Sequence, residues 1–313
     1  MKITDLAILF IIIILPFNLI LGYNTSNAQN ALYKKIELNR IFETAVEDST
    51  SVLIEGGGAA IFEGGGRKKV PINKEKAAEV FLNTLTINFG LFNDETTRRK
   101  LECYIPCLVV VDYDGYYILS NQEYEDEDGY KMGKLLWNPK RLFTYSDYKY
   151  IYYFTLDKFI SVFDIYEGKY YQGTYDDVSA QIDDEDSEIL KDGAKFDEIR
   201  RNTIINCLQS DIQYTINKHN NIARKYGIVY NFSLPAISKD DWNRTIDDVG
   251  VIAFFQGMPI GVTNETVNNF AIGGAKIVKT QKYYVETDPS SGLKYYHREN
   301  CTKRMELTDP ILY

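Results

Sequence analysis

Apolar residues fill the start of the chain almost without interruption: Leu6 to Gly22 reads LAILFIIIILPFNLILG, broken only by Pro16 and Asn18. As a helix rising ~1.5 Å per residue this run covers about 25 Å, the lower limit of a bilayer span. Leu6, Ile11, Ile14, Leu19 and Leu21 are the expected membrane-anchoring side chains, and Tyr23 follows where an interfacial aromatic sits. Lys2 precedes the run, and the next basic residues are Lys34 and Lys35. The positive-inside rule therefore predicts a cytoplasmic end over 1–5, a transmembrane helix over 6–23 and everything later outside the cell. The alternative is a signal peptide cleaved after Ala28, at the small-x-small string Ser26-Asn27-Ala28; its apolar region would exceed the usual ~7–15 residues. Both readings export the remainder.

Beyond the apolar run the pattern changes to spacings of three and four. Leu38, Ile41, Phe42, Ala45 and Val52 define the packing stripe of an amphipathic stalk helix over 24–55, continuous with the membrane helix. A small repeat follows, IEGGG from Ile54 and FEGGG from Phe62. Triple glycines break helices, so 56–70 is expected to be a hinge between stalk and head. A phosphate loop does not fit, because no GxxxxGK[ST] string occurs there.

The head, 71–313, alternates both periodicities. Asn73 is placed to cap a helix over Lys74–Phe89 that packs through Ala77, Ala78, Phe81, Leu82 and Leu85. YIPCLVVVD (Tyr104–Asp112) and YYILS (Tyr116–Ser120) read as strands joined by the hairpin signal Asp114-Gly115. Strand-like runs recur at 148–155, 160–166 and 169–172. An acidic linker, Asp183–Glu188, leads into a helix over Asp197–Tyr226, and strands return at 249–255, 259–262, 275–285 and 294–296. The expected fold class is α+β: a transmembrane helix running into a stalk helix, then an extracytoplasmic domain of antiparallel sheet with packed helices.

Composition narrows the chemistry. A net charge of −9 and a pI near 5.0 repel phosphate backbones, so no nucleic-acid partner is expected. Tyrosine, at 25 residues against 16 Phe and 2 Trp, suits sheet faces with a wet side. With only 2 histidines, His219 and His297, a histidine-rich metal site is excluded. HExxH and GxSxG are absent as well. No nucleophile–base–acid set is evident, and no catalytic residue, cofactor or enzyme activity is expected.

Several residue groups invite a sharper reading. If Cys103 and Cys107 share a strand they lie ~13 Å apart, beyond the ~7 Å a disulfide permits. Buried thiols are then expected, with a long-range bridge from Cys207 or Cys301 as the alternative. His297 and Cys301 are spaced for one helical face and would need Cys103 and Cys107 to complete a zinc site. The acidic runs Glu123–Gly129 and Asp183–Asp186 lack the EF-hand pattern and read as solvated loops. Asp112 and Asp114 offer paired carboxylates, but a tight hairpin explains them as turn formers.

Two stretches carry a family resemblance: KKIELNRIFETAVEDSTSVL (Lys34–Leu53) directly after the apolar run, and NKEKAAEVFLNTLTINFGL (Asn73–Leu91) followed by YIPCLVVVDYDGYYI (Tyr104–Ile118). Together they resemble a family of Gram-positive bacterial proteins related to the pseudopilins of tight-adherence (Tad-type) pilus systems. The likeness covers roughly the first 120 residues well and the rest loosely. It implies a membrane-anchored, pilin-like or accessory structural component of a surface pilus or secretion system. Its partners would be the lipid bilayer and the pilus or secretion proteins that meet its membrane and stalk helix. One departure is plain: the leader MKITD has no Gly or Ala for a prepilin peptidase, and Asp5 is its only acid. A permanent anchor is therefore expected rather than a processed subunit. The alternative function is an extracytoplasmic ligand-binding module, or a secreted protein released by signal-peptide cleavage.

Overall fold

The computed structural model describes residues 15–54, 61–62, 67–92, 94–125, 131–182, 187–225, 232–259, 266–274, 282–287, 294–298 and 311–312. The chain begins with α1 (Leu15–Ser51), the short pair β1 (Ile61–Phe62) and β2 (Lys68–Lys69), then α2 (Lys74–Asn88) and α3 (Glu95–Glu102). A run of strands follows: β3 (Cys107–Asp112), β4 (Gly115–Glu125), β5 (Lys131–Trp137), β6 (Arg141–Ser146), β7 (Tyr150–Phe154), β8 (Phe159–Asp164) and β9 (Tyr170–Thr174). Helices return as α4 (Tyr175–Gln181), α5 (Glu188–Lys191), α6 (Gly193–Lys225) and α7 (Lys239–Thr245). The last elements are β10 (Gly250–Pro259), β11 (Thr266–Gly274), β12 (Lys282–Thr287), β13 (Lys294–Arg298) and β14 (Ile311–Leu312).

The fold is α+β around one 9-stranded antiparallel sheet, ordered β11-β10-β3-β4-β6-β7-β8-β9, with β5 also paired to β4. β12, β13 and β14 form a separate 3-stranded sheet. The central strand β3 is buried at every position, as its unbroken CLVVVD demands. Its hairpin to β4 closes between Asp112 and Gly115, around Tyr113 and Asp114. The reason for the glycine differs from the turn signal read in the sequence. Gly115 has no positive φ; instead a Cβ there would collide with the backbone carbonyl oxygen of Arg141 on the neighbouring β6.

Helices cover the two faces unequally. On one face α6 runs the length of its apolar stripe, with Ile204, Leu208, Ile212 and Ile216 buried. Arg200, also buried, donates to the carbonyls of Thr155 (3.2 Å) and Leu156 (2.8 Å) and pairs with Asp197 at 2.6 Å. On the other face α1 and α2 cover β10, β3 and β4. There Phe42 meets Phe81 of α2 at 5.8 Å and Phe255 of β10 at 5.7 Å, and Ser49 Oγ donates to the Ala77 carbonyl at 2.8 Å. Asn73 caps α2 as expected, its side chain accepting from the Lys76 amide at 2.8 Å.

One expectation changes, and two fall largely outside the described residues. The stalk stripe is not a free rod: Leu38, Phe42, Ala45 and Val46 are buried in the head's own core, with Ile41 packed against it and Val52 half-buried. The sheet face over β10 and β11 needs apolar cover, and this stripe supplies it. Second, the base of the glycine-rich stretch is pinned, because Ile54 bridges Ile72 and the Asn73 amide donates to the Leu53 carbonyl at 2.8 Å. The triple glycines of the expected hinge over 56–70 lie outside the described residues. Third, the expected transmembrane helix over 6–23 lies largely outside the described residues, among which no helix is long and apolar enough to cross a membrane. Leu6, Ile11 and Ile14 lie outside the described residues, and α1 carries only the tail of the apolar run, with Leu19 and Leu21 in its opening turns.

Candidate functional site

Charge concentrates where the tip of the β3–β4 hairpin meets the segment 67–72. β3 brings Asp112 to its end and the turn adds Asp114; Lys140, just ahead of β6, reaches both. Lys140 Nζ donates to Asp112 Oδ2 at 2.6 Å and also to Asp114. Arg67 donates to the second oxygen of Asp114 at 2.8 Å. Beside this pair, Lys68 meets Asp157 at 2.5 Å, and Asp157 also accepts from the Tyr113 hydroxyl at 2.5 Å and the Phe159 amide at 2.9 Å. Aromatic faces line the cations: Lys140 stands 5.6 Å from the Tyr117 ring, and Lys74 stands 5.1 Å from the same ring and 5.5 Å from Trp137. Between these groups and Val70–Ile72 lies a cleft of about 510 Å³.

The electrostatics decide what this cluster does. Burial raises the Asp112 carboxyl above its ordinary range, only partly offset by Lys140. Burial also works against ionised Asp114, but hydrogen bonds and charge from Lys140 and Arg67 outweigh it and hold that carboxyl low. Burial works to lower Lys140, yet the two aspartates overcome it and keep the ammonium protonated beyond its usual value. A lysine so held is neither a nucleophile nor a base. Each carboxylate gives one oxygen to the same ammonium, the other going to the Tyr113 amide for Asp112 and to Arg67 for Asp114, and Asp157 is held low by Lys68 and Tyr113 against its own burial. The cluster acts as an ion-pair clamp fastening the 67–72 segment across the hairpin tip. A second polar knot ties α6 to the sheet, where Asp211 accepts from Tyr116 and from Arg141 at 2.7 Å.

The cysteines separate. Cys103 ends α3 instead of lying on a strand, with its thiol on the Arg99 carbonyl at 3.3 Å. Cys107 opens β3, fully buried, and burial pushes its thiol well above the ordinary value. Cys103, Cys107 and Cys207 are all free thiols, so no bridge joins these three. Among the described residues no group of three or more His, Cys, Asp or Glu side chains is placed to hold a metal ion. His297 sits on β13 opposite Tyr284, and Cys301 lies outside the described residues. His219 is a buried residue of α6, its Nε2 at 3.1 Å from the Cys103 carbonyl and its ring stacked on Phe232 at 5.3 Å.

Sequence reasoning missed Lys140, Lys68 and Asp157 as members of the cluster, since they come from separate segments and no local spacing ties them to Asp112 and Asp114. Other clefts among the described residues include a groove of about 450 Å³ between α2, α3 and β5, and an acidic hollow of about 490 Å³ by Glu43, Glu47 and Asp241. No protein-family model matches this chain. No curated protein and no solved structure matches it either.

Proposed function

We propose that this chain is a membrane-held, pilin-like structural component of a bacterial surface pilus or secretion system, with its α+β head outside the cell and no catalytic role. The observation that carries the reading is the divided character of α1. From Leu38 onward the helix is built into the head core, whereas its earlier turns expose large apolar side chains: Leu32 is 58% exposed, Tyr33 72% and Ile36 56%. Apolar residues held in water on a helix fixed to a domain mark a surface meant for other protein or lipid. The apolar run Leu6–Gly22 continues in the same direction along the sequence and supports a bilayer anchor. The clamp at the hairpin tip stiffens the head, which suits a part that bears load.

The test is a cysteine at position 32 (Leu32→Cys) in cells making the full chain, followed by membrane fractionation, mild oxidation and mass analysis of the amino terminus. The expected result is a membrane-fraction protein that cross-links to a neighbouring subunit or pilus protein through that position. A chain recovered from the soluble fraction, starting near Gln29 and without cross-links, would refute the structural role and favour the secreted binding module.

A further inference from the structure

The outward face of α1 changes character along its length. Leu32, Ile36, Glu43 and Glu47 follow one another at four, seven and four residues, so the helical period sets them on one side of the helix. All four are exposed. Between Asn24 and Arg40 the charged residues are Lys34, Lys35 and Arg40 against Glu37 alone; between Ile41 and Ser51 they are Glu43, Glu47 and Asp48, with no cation. Lys34 is answered by Glu37 at 3.5 Å, and Asp48 by the Thr84 hydroxyl at 3.0 Å. Among the described residues, Lys35, Arg40, Glu43 and Glu47 enter no ion pair.

The acidic half also belongs to a concave surface. Glu43 and Glu47 stand with Asp241 of α7 around the hollow of about 490 Å³, and Phe270, Ala271 and Ile272 of β11 give it an apolar side. Its wall is firm, because α1 lies so close to β11 that a Cβ on Gly273 would strike Thr50. The earlier turns offer the complement: Leu32 and Ile36 are apolar, with Lys35 and Arg40 beside them. One molecule cannot bring its own two halves together, since both lie on a single continuous helix. Lipid is the wrong cover for Leu32, which stands nine residues beyond Tyr23, about 14 Å past the end of the expected span.

We infer that the exposed turns of α1 dock in the acidic hollow of a second copy of this chain. The inference rests on the membrane-held reading, which sets copies side by side in one orientation, and it names the partner of those turns. Lys35 precedes Glu43 by eight residues and Arg40 precedes Glu47 by seven. A single shift of about 11 Å between parallel helices therefore sets both cations against both carboxylates. The same shift carries Leu32 and Ile36 toward the apolar side of the hollow. The contact uses different surfaces on the two copies, so each molecule gives its basic turns to one neighbour and its hollow to another. Confinement in one bilayer raises the effective concentration, and a small contact then suffices.

The experiment places Ile36→Cys and Glu43→Cys in one full-length chain, made in cells, followed by membrane fractionation and mild oxidation. The two positions lie seven residues apart on one helix, about 10 Å and beyond the ~7 Å a disulfide permits, so any bridge between them joins two molecules. The expected result is a ladder of dimers, trimers and higher species above the background of the unsubstituted chain, with each single variant stopping at dimers. Adding Glu47→Arg should cut the ladder at least about tenfold, and Arg40→Glu together with Glu47→Arg should restore it to within about threefold. All these positions are exposed, and circular dichroism of the purified chains confirms folding. A membrane-fraction chain without the ladder would overturn the inference and leave the membrane-held reading standing, as would a ladder indifferent to Glu47→Arg. A chain recovered from the soluble fraction would overturn that reading and the inference with it.

Discussion

Replacing Phe42 by alanine separates a helix built into the head from one that merely adjoins it. The ring is 1% exposed and is held between Phe81 of α2 and Phe255 of β10, so its removal opens a void walled by three elements. Loss of transfer free energy costs about 2 kcal/mol for such a side chain. A residual cavity of about 100 Å³ adds roughly 2 kcal/mol at ~24 cal/mol per Å³. The expected loss is therefore about 4 kcal/mol, within the ~3–5 kcal/mol range of buried phenylalanine truncations. Leu32→Ala, ten positions earlier on the same helix and exposed, should cost less than about 0.5 kcal/mol. Urea unfolding of the full-length chain, followed by tryptophan fluorescence, reads the difference as a shift of midpoint at constant slope. A loss under about 1 kcal/mol for Phe42→Ala would refute the packing of α1 into the head. So would equal losses for the two variants, since a separate stalk would then be melting alone.

Three further outcomes follow from the polar groups and the hairpin. Lys140→Met leaves the buried Asp112 without its ammonium and should cost about 2–3 kcal/mol at pH 7, discounted from a fully buried pair because the lysine is partly solvated. Asp112 already has a raised folded pKa, so its protonated form is the better tolerated one; the deficit should shrink as pH falls through its folded value, and Lys140→Met with Asp112→Asn should recover most of it in chemical denaturation. Gly115→Ala should cost about 1–3 kcal/mol or more through collision with the Arg141 carbonyl, read as a lowered melting temperature, and a neutral result would mean that β4 and β6 do not approach so closely. His219 has a folded pKa depressed below its ordinary 6.5, chiefly by burial; it favours folding fully above that pH, stability should decline as pH falls toward the depressed value, and His219→Gln should flatten that slope in a pH series of midpoints.

The local signals were readable because each acts over a few residues. Asn73 before an apolar three-four stripe is a cap wherever the helix ends up, and an uninterrupted CLVVVD has few choices but a central strand. The hairpin at Asp114-Gly115 was legible for a partly different reason from the one that holds, since the glycine serves a neighbour that no turn rule mentions. What stayed hidden depends on distant pairing. The stripe of Leu38, Phe42 and Ala45 says that something packs against it, and a rod of neighbouring helices satisfies that pattern as well as a sheet does. Only the position of β10 beside β3, contributed from residues far along the chain, decides for the sheet. The same holds for Lys140: nothing near it in sequence announces that it will bridge Asp112 and Asp114.

The uneven covering of the sheet ties the remaining observations together. A nine-stranded sheet has two faces to hide, and on one of them α4, α5 and α6 reach from β3 to β9. On the other, α1 and α2 stop at β4, and the clamp of Arg67, Lys68, Asp114 and Lys140 stands at the boundary. Beyond it the strands change composition as the burial changes. Where helices cover the sheet, the face carries Val110, Leu108 and Val251; where they do not, it carries tyrosines set among threonine, serine and glutamine. Had that region only to stay soluble, charged and threonine-rich positions would serve at lower risk of association. Instead Tyr153, Phe163 and Tyr170 cluster there, on a face that the exposed Leu142 continues towards β4. The exposed turns of α1 and this open face are thus distinct features of the surface, separated by the ion-pair clamp.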